Sequence, residues 1–305
     1  MATFEPVVIA AVQATPVILD ADATVDKAIR LLGDAAADGA QLVVLPETFV
    51  SLYPSNAWAH HAARFGGSDE LWERMWDSSV EVPGPAVDRI AAACAEHDVH
   101  CAIGVNEREL ERPGTLYNTL LLIGPQGVLW KHRKLMPTHQ ERLFHGIGAG
   151  DDMNVVETGL GRVGGLICWE NRMPLARWAM YQGGPQIWLA PTADDSDGWQ
   201  ATIRHIAIES GAFVVSAPQY IPVAAFPDDF PLPLPDTECI GRGGACIVSP
   251  DGEVIAGPLY DGEGIVAADC DLRVGLHAKR YFDAAGHYGR ADVLAPGAPP
   301  APPPT

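Results

Sequence analysis

The run Val163-Gly164-Gly165-Leu166-Ile167-Cys168 constrains the fold more than any other segment. It is apolar and glycine-containing, without polar alternation, and reads as a strand buried on both faces; strands of that kind belong to layered α/β proteins. Trp169-Glu170-Asn171-Arg172-Met173-Pro174 follows at once. Pro174 suits the first turn of a helix, where an N–H would have no intrahelical partner anyway. Cys168 therefore stands at a strand-to-helix corner with its sulfur toward the open end of a sheet. That is a position for a nucleophile held on a rigid element. The helix N-terminus beyond it is expected to favour the thiolate. A strand cysteine taken alone is more often inert core, so the reading needs support from elsewhere in the chain.

The rest of the pattern is consistent with α/β layers. Strands are expected at Val7–Ala14, Gln41–Leu45, Val99–Val105, Leu116–Ile123, Val128–His132, Gln186–Ala190, Ala212–Ser216, Ala245–Ser249, Glu253–Ala256 and Gly264–Ala268. Helices are expected at Asp20–Asp38, Ser68–Ser79, Pro85–His97, Met173–Gln182 and Trp199–Ser210. The first of these carries Val25, Ala28, Ile29, Leu32 and Ala36 on one face and ends at Gly39. Gly124-Pro125-Gln126-Gly127 and Pro250-Asp251-Gly252 read as turns, and Phe226–Pro235 as a Pro-rich loop. No interdomain linker is visible, so residues 1–295 are expected to form one domain. Residues 296–305 contain six prolines and are expected to be a disordered tail.

Two further segments make Cys168 a candidate. Gln41-Leu42-Val43-Val44-Leu45-Pro46-Glu47 is an apolar strand that Pro46 stops just before a carboxylate. Lys131-His132-Arg133-Lys134-Leu135-Met136-Pro137-Thr138 sets cations beside an apolar pair, with Lys131 and Lys134 as rivals for a role. A carboxylate, an ammonium and a thiol at three strand ends could meet at one sheet edge as base, charge stabiliser and nucleophile. A papain-like Cys/His site would need one of His132, His139, His145 or His205, and no spacing supports it. The ten histidines show no metal-ligand pattern, so no metal is expected.

Composition narrows the partners. The 39 acidic and 20 basic residues give a formal charge of -19. Nucleic acid and anionic membrane both call for a basic face, so neither is expected. No apolar run approaches membrane-spanning length, and the N-terminus shows no secretory pattern. The six cysteines form no C-x-x-C pair. A cytoplasmic protein with reduced thiols is expected.

Leu45-Pro46-Glu47-Thr48-Phe49, then Lys131-His132-Arg133-Lys134-Leu135-Met136-Pro137-Thr138-His139-Gln140-Glu141-Arg142, then Gly165-Leu166-Ile167-Cys168-Trp169-Glu170-Asn171 resemble, in order, the three signature blocks of the nitrilase superfamily of carbon–nitrogen hydrolases. The resemblance runs from about Val8 to about Leu294, and three ordered blocks are far more specific than one short motif. It implies an α/β fold, a single-domain four-layer α-β-β-α sandwich that associates through helices into dimers or larger assemblies, spirals included. It implies Glu47 as general base, Lys134 as catalytic cation and Cys168 as nucleophile, with Glu141 beside the lysine helping to place substrate. It implies Tyr53, Trp169, Thr192, Ala193 and Trp199 as neighbours of the substrate, and no metal or organic cofactor.

The reaction so implied is hydrolysis of a nitrile to the carboxylic acid and ammonia, through a Cys-bound thioimidate and then a thioester. Trp169-Glu170-Asn171 favours the nitrilase branch, since amidase and carbamoylase branches usually carry other residues after the nucleophile. An amidase or carbamoyl hydrolase with the same Glu-Lys-Cys triad remains the alternative, as does a cyanide hydratase or dihydratase. A non-catalytic binding protein of the same fold would be expected to lose one of Glu47, Lys134 and Cys168. Ser55-Asn56-Ala57-Trp58 lacks the denser aromatic cluster of many nitrilases, which leaves aliphatic, aromatic and arylaliphatic nitriles open.

Overall fold

A computed structural model of the chain describes residues 4–111 and 113–294. The expected Pro-rich tail lies outside the described residues. Strands β1 (Pro6–Gln13), β2 (Leu42–Val44), β3 (His100–Arg108), β4 (Leu116–Gly124), β5 (Gly127–Arg133) and β13 (Gly264–Asp271) form one sheet in the order β13-β1-β2-β3-β4-β5. The second sheet takes β6 (Val156–Thr158), β7 (Gly161–Gly165), β8 (Ile187–Thr192), β9 (Phe213–Pro218), β10 (Tyr220–Pro222) and β11 (Cys239–Val248) in the order β10-β11-β9-β8-β7-β6. β12 (Val254–Tyr260) pairs with β11. Each sheet has a parallel centre, β1-β2-β3 in one and β7-β8-β9 in the other, with antiparallel strands outside it.

Helices cover both sheets. α1 (Ala21–Ala37) and α4 (Pro85–His97) press Val25, Ala28, Leu32 and Ile90 onto Ala10, Val43 and Ile103 of the first sheet. α5 (Pro174–Tyr181) and α6 (Asp197–Ser210) bring Met180, Ile203 and Ile206 to the second sheet. Between the sheets, Ile9, Ala11 and Val44 meet Leu189, Val215 and Ile247 in one continuous core. Two sheets flanked by helices thus make the α-β-β-α order that the resemblance implied.

Local chemistry accounts for the element ends. Asp20 caps α1 by accepting from Ala23 N at 2.9 Å, and Gly39 at φ 92° takes the chain out of it. Pro174 does open α5, one turn later than a direct strand-to-helix corner would place it. The elements that patterning missed are short or partly exposed. α2 (Asn56–Phe65) buries only Trp58, Ala59 and Ala62. β6 and β10 have three residues each, and α7 (Arg273–Tyr281) has no buried residue. With α3 (Ser68–Asp77) and the Pro-rich loop, α2 forms a side cluster that contains Phe144, Phe226 and Leu232. Helix α8 (Ala291–Leu294) is the last described element. Among the described residues, no helix is long and apolar enough to cross a membrane.

Candidate active site

Four loops meet between the sheets, each leaving the C-terminal end of a strand: β2 leads to Glu47, β5 to Lys134, β7 to Cys168, and β8 to Thr192 and Ala193. Sterics fix two of these approaches. A Cβ at Gly104 would collide with Thr48 N and Pro46 O, so β3 lets the Glu47 loop lie flat on it only because it carries glycine there. Cys168 holds φ 50° and Thr48 φ 40°, left-handed values that cost a β-carbon residue about 1 kcal/mol or more. Strain of this kind concentrates where a side chain must be aimed.

The carboxylates and the ammonium form a dry cluster. Lys134 Nζ donates to Glu47 Oε1 and to Glu141 Oε2, each at 2.7 Å, and all three side chains are fully buried. Asn118 Nδ2 donates to Glu47 Oε1 at 2.7 Å and to Glu141 Oε1 at 2.9 Å. Glu141 also accepts from Thr138 N at 2.8 Å and Tyr53 Oη at 3.3 Å, and its Oε1 lies 3.0 Å from His145 Nδ1. His145 Nε2 pairs with Asn106 Oδ1 at 2.7 Å. Every oxygen of Glu141 is therefore occupied, whereas Glu47 Oε2 is buried with no partner. A buried carboxylate oxygen left open is poised to take a proton.

The environments push the two carboxylates apart. Burial, with the neighbouring Glu141 charge, raises Glu47 above the ordinary glutamate range despite the pull of Lys134. Burial acts on Glu141 too, but Lys134 and the His145 hydrogen bond outweigh it and hold Glu141 far below that range. For Lys134, the cost of burial is outweighed by Glu141 and Glu47, so the ammonium stays charged. Such a split marks one carboxylate as a proton acceptor and the other as a fixed anion.

Cys168 sits against this cluster. Its Sγ accepts from Thr192 Oγ1 at 3.2 Å and from the Ala193 backbone N–H, and it feels the charges of both Glu47 and Lys134. Burial first, then the Glu47 charge, pushes the thiol well above its usual value. The helix N-terminus expected to favour the thiolate does not adjoin the sulfur, since α5 begins only at Pro174. The segment after Cys168 is a single 3-10 turn, Cys168–Arg172, too short to build a dipole, and the dry setting penalises the anion.

A third buried carboxylate joins the lysine and cysteine loops. Glu170 accepts from Leu135 N at 2.5 Å and from Ile167 N at 2.7 Å, next to Lys134 and Cys168 respectively. His132 Nε2 lies 3.1 Å from Glu170 Oε2, and its Nδ1 lies 2.8 Å from Asp152 Oδ1. Burial opposes the charge on His132, but the bonds to Asp152 and Glu170 prevail and raise it to about 9.

Of the expected substrate neighbours, Tyr53 and Ala193 line a small cavity of about 30 Å³, and Thr192 touches the thiol. The rings of Trp169 and Trp199 lie outside this cavity. Trp169 turns its half-exposed ring into a separate surface groove beside Met136 and Met173, where Nε1 donates to Asp194 at 2.6 Å and Arg172 stacks at 4.7 Å. Trp199 is core: fully buried, it donates to Ser216 Oγ at 2.8 Å and packs among Ile203, Ile206 and Val215. Lys131, the rival cation, is a partly exposed ion pair with Glu107 at 2.9 Å. Patterning missed Asn118 and Gln219, weighed His145 only as a partner for Cys168, and read Trp58 only as part of a stretch poor in aromatics. Asn118 carried a signal, a polar side chain inside the otherwise apolar run of β4, since buried polar positions are the informative ones.

The chain has relatives among known proteins. The carbon-nitrogen hydrolase family model matches residues 8–278, so the chain belongs to that family. Its relatives include a bifunctional nitrilase/nitrile hydratase of Lupinus angustifolius, 45% identical over 295 residues, covering 93% of this chain and 83% of that one. They also include an aliphatic nitrilase of Sinorhizobium fredii, 45% identical, covering 93% of both chains, and nitrilase 1 of Arabidopsis thaliana, 43% identical, covering 93% and 84%. Among solved structures, a Saccharomyces cerevisiae member of branch 10 of the nitrilase superfamily superposes with a TM-score of 0.72 at 19% identity, covering 94% of this chain and 97% of that one. A carbon-nitrogen hydrolase from Helicobacter pylori gives 0.72 at 17%, covering 95% and 97%. These two share the fold.

Proposed function

We propose that the protein is a nitrilase, hydrolysing an organic nitrile to its carboxylic acid and ammonia. The observation that carries the mechanism is a buried thiol beside a carboxylate with one open oxygen and a lysine held between two anions. The nitrilases among its relatives support nitrile as the substrate class.

The resting nucleophile is the thiol. As Sγ attacks the nitrile carbon, its proton passes to Glu47, whose raised proton affinity suits the transfer. The negative charge that develops on the nitrile nitrogen is met by Lys134 and the Trp169 backbone N–H. Glu47 returns the proton to that nitrogen, giving a thioimidate. Water, deprotonated by Glu47, adds to it; the tetrahedral adduct expels ammonia and leaves a thioester. A second water releases the acid and restores the Cys168 thiol. Glu141 stays ionised and, with Asn118, keeps Lys134 and Glu47 aligned. Expulsion of sulfur from the same adduct would release the amide instead. A homo-oligomer, dimeric or larger, belongs to this reading, and a monomeric scattering mass would contradict it. Six unpaired cysteines suit a reducing, cytoplasmic setting.

The test is ammonia release from aliphatic, aromatic and arylacetic nitriles, cyanide and the matching amides, with Cys168→Ala as blank. Turnover of nitriles to acids is expected. Turnover of amides alone would keep the triad and move the protein to amide hydrolysis, and full activity in the blank would remove Cys168 from the mechanism.

A further inference from the structure

The cavity next to the thiol says something about the rest of the substrate. Three of its lining residues each touch the reacting cluster: Tyr53 through Glu141, Ala193 through the Cys168 sulfur, and Gln219 by donating Nε2 to Glu47 O at 2.8 Å. Apart from Ser55 and Gly241 the other lining is apolar, from Leu52, Trp58, Ile221, Phe226 and Ile240, and none of the described lining residues is charged. A substrate carrying a carboxylate or an ammonium would lose its hydration here without a partner.

Trp58 is the anomaly in that wall. Its side chain is fully buried, held edge-on by Phe144 at 5.7 Å and Phe230 at 5.6 Å, yet Nε1 has no hydrogen-bond partner. The other buried tryptophans all have one: Trp130 donates to Asp152 O at 2.9 Å, Trp188 to Asn171 Oδ1 at 2.8 Å and Trp199 to Ser216 Oγ at 2.8 Å. Buried indole N–H groups normally find an acceptor, and this unmet one belongs to a residue that lines the cavity beside Cys168, where a ligand would supply it.

We infer that the Trp58 Nε1–H is a specificity contact, and that the substrate is an uncharged nitrile with an apolar body bearing a hydrogen-bond acceptor, an ether, carbonyl or hydroxyl oxygen or a ring nitrogen, at the end remote from the nitrile. The inference rests on the nitrilase reading. Trp58 takes no part in bond making; it fixes the far end of the substrate while Cys168 takes the near end.

Matched pairs test it: straight-chain nitriles with an ether oxygen in place of one methylene, and para-methoxy against para-ethyl phenylacetonitrile. In wild type and Trp58→Phe, kcat/KM is measured for both members of each pair. Binding of the same pairs to Cys168→Ala is measured by calorimetry. The ether member should lose about tenfold more than its hydrocarbon twin on Trp58→Phe, the worth of one neutral hydrogen bond. Equal losses for both members in every pair would overturn the inference. So would weaker binding of every ether member than of its twin to Cys168→Ala, an arm that stands even if Trp58→Phe does not fold. If no nitrile is turned over but amides are, the nitrilase reading fails alone, and the corresponding amide pairs then read the same contact.

Discussion

Replacing Glu170 with Gln tests how the lysine and cysteine loops are held together. Glu170 accepts from Ile167 N and Leu135 N and faces His132, which is fully buried and raised to about 9. Glutamine keeps one acceptor but turns an NH₂ toward a backbone donor, and it removes the anion beside a buried imidazolium. Removing one member of such a pair costs about 3–5 kcal/mol. The pH dependence identifies the cause. His132 has a folded value above its unfolded one, so its stabilisation is fully present below about pH 6.5 and lost as pH rises through about 9. A rise from 6.5 to about 9 is worth roughly 3 kcal/mol, shared between Asp152 and Glu170, which puts about 1.5 kcal/mol on Glu170. In urea unfolding, the deficit of Glu170→Gln relative to wild type should therefore shrink by about 1.5 kcal/mol between pH 7 and pH 10. An equal deficit at both pH values, or one under about 1 kcal/mol at pH 7, would refute the reasoning. The folded variant should also lose kcat more than it gains KM, since the displaced loops carry Lys134 and Cys168.

Four further outcomes follow from the same geometry. Lys134→Ala should lower kcat/KM on the order of 100-fold or more, while Lys131→Ala, which breaks a partly exposed pair, should stay within about twofold; the reverse ranking would transfer the role to Lys131. Asn118→Leu should cost about tenfold or more in kcat by freeing Glu47 and Glu141 from their shared donor, and near-normal turnover would make that bond incidental. Because burial holds Cys168 as a thiol, iodoacetamide should label it slowly at pH 7 and faster with rising pH, and a rapid pH-independent burst would contradict this. Because Glu47 is raised, the acid limb of kcat/KM should fall off above the ordinary glutamate value of 4.5, activity being lost as pH drops and Glu47 takes a proton; a limb at or below 4.5 would assign the base elsewhere.

Periodicity reached the elements whose burial is complete along one face. α4 spans Pro85–His97 as read from its proline start and apolar spacing, and β1, β4 and β8 differ from their expected bounds by one or two residues. It failed where an element depends on neighbours remote in sequence. α2 is held by Phe144 and Phe230 from two distant loops, and its own stretch offers little beyond Trp58, Phe65 and four alanines among polar residues. β10 exists because β11 lies beside it. Pairing of that kind leaves no local period to read.

The site divides along a similar line, and the two tryptophans show why. Trp169 adjoins the nucleophile in sequence, yet Cys168 at φ 50° and the 3-10 turn behind it send the next ring outward onto Arg172 and Asp194. Trp199 opens the helix after the Thr192 loop, but Ser196 caps that helix at Trp199 N, and the ring turns inward to Ser216. Adjacency to a reacting group in sequence therefore predicts where a backbone passes and not where a side chain points. Trp58 makes the converse case. It lies eleven residues beyond Glu47 on an element that patterning did not find, and it reaches the cavity because Phe144 and Phe230 hold its ring there. Residues that bond-making chemistry requires can be recognised from type and order along the chain. Residues that select among substrates answer to packing between distant segments, and the mark they leave is a polar atom such as the Trp58 Nε1, buried without a partner.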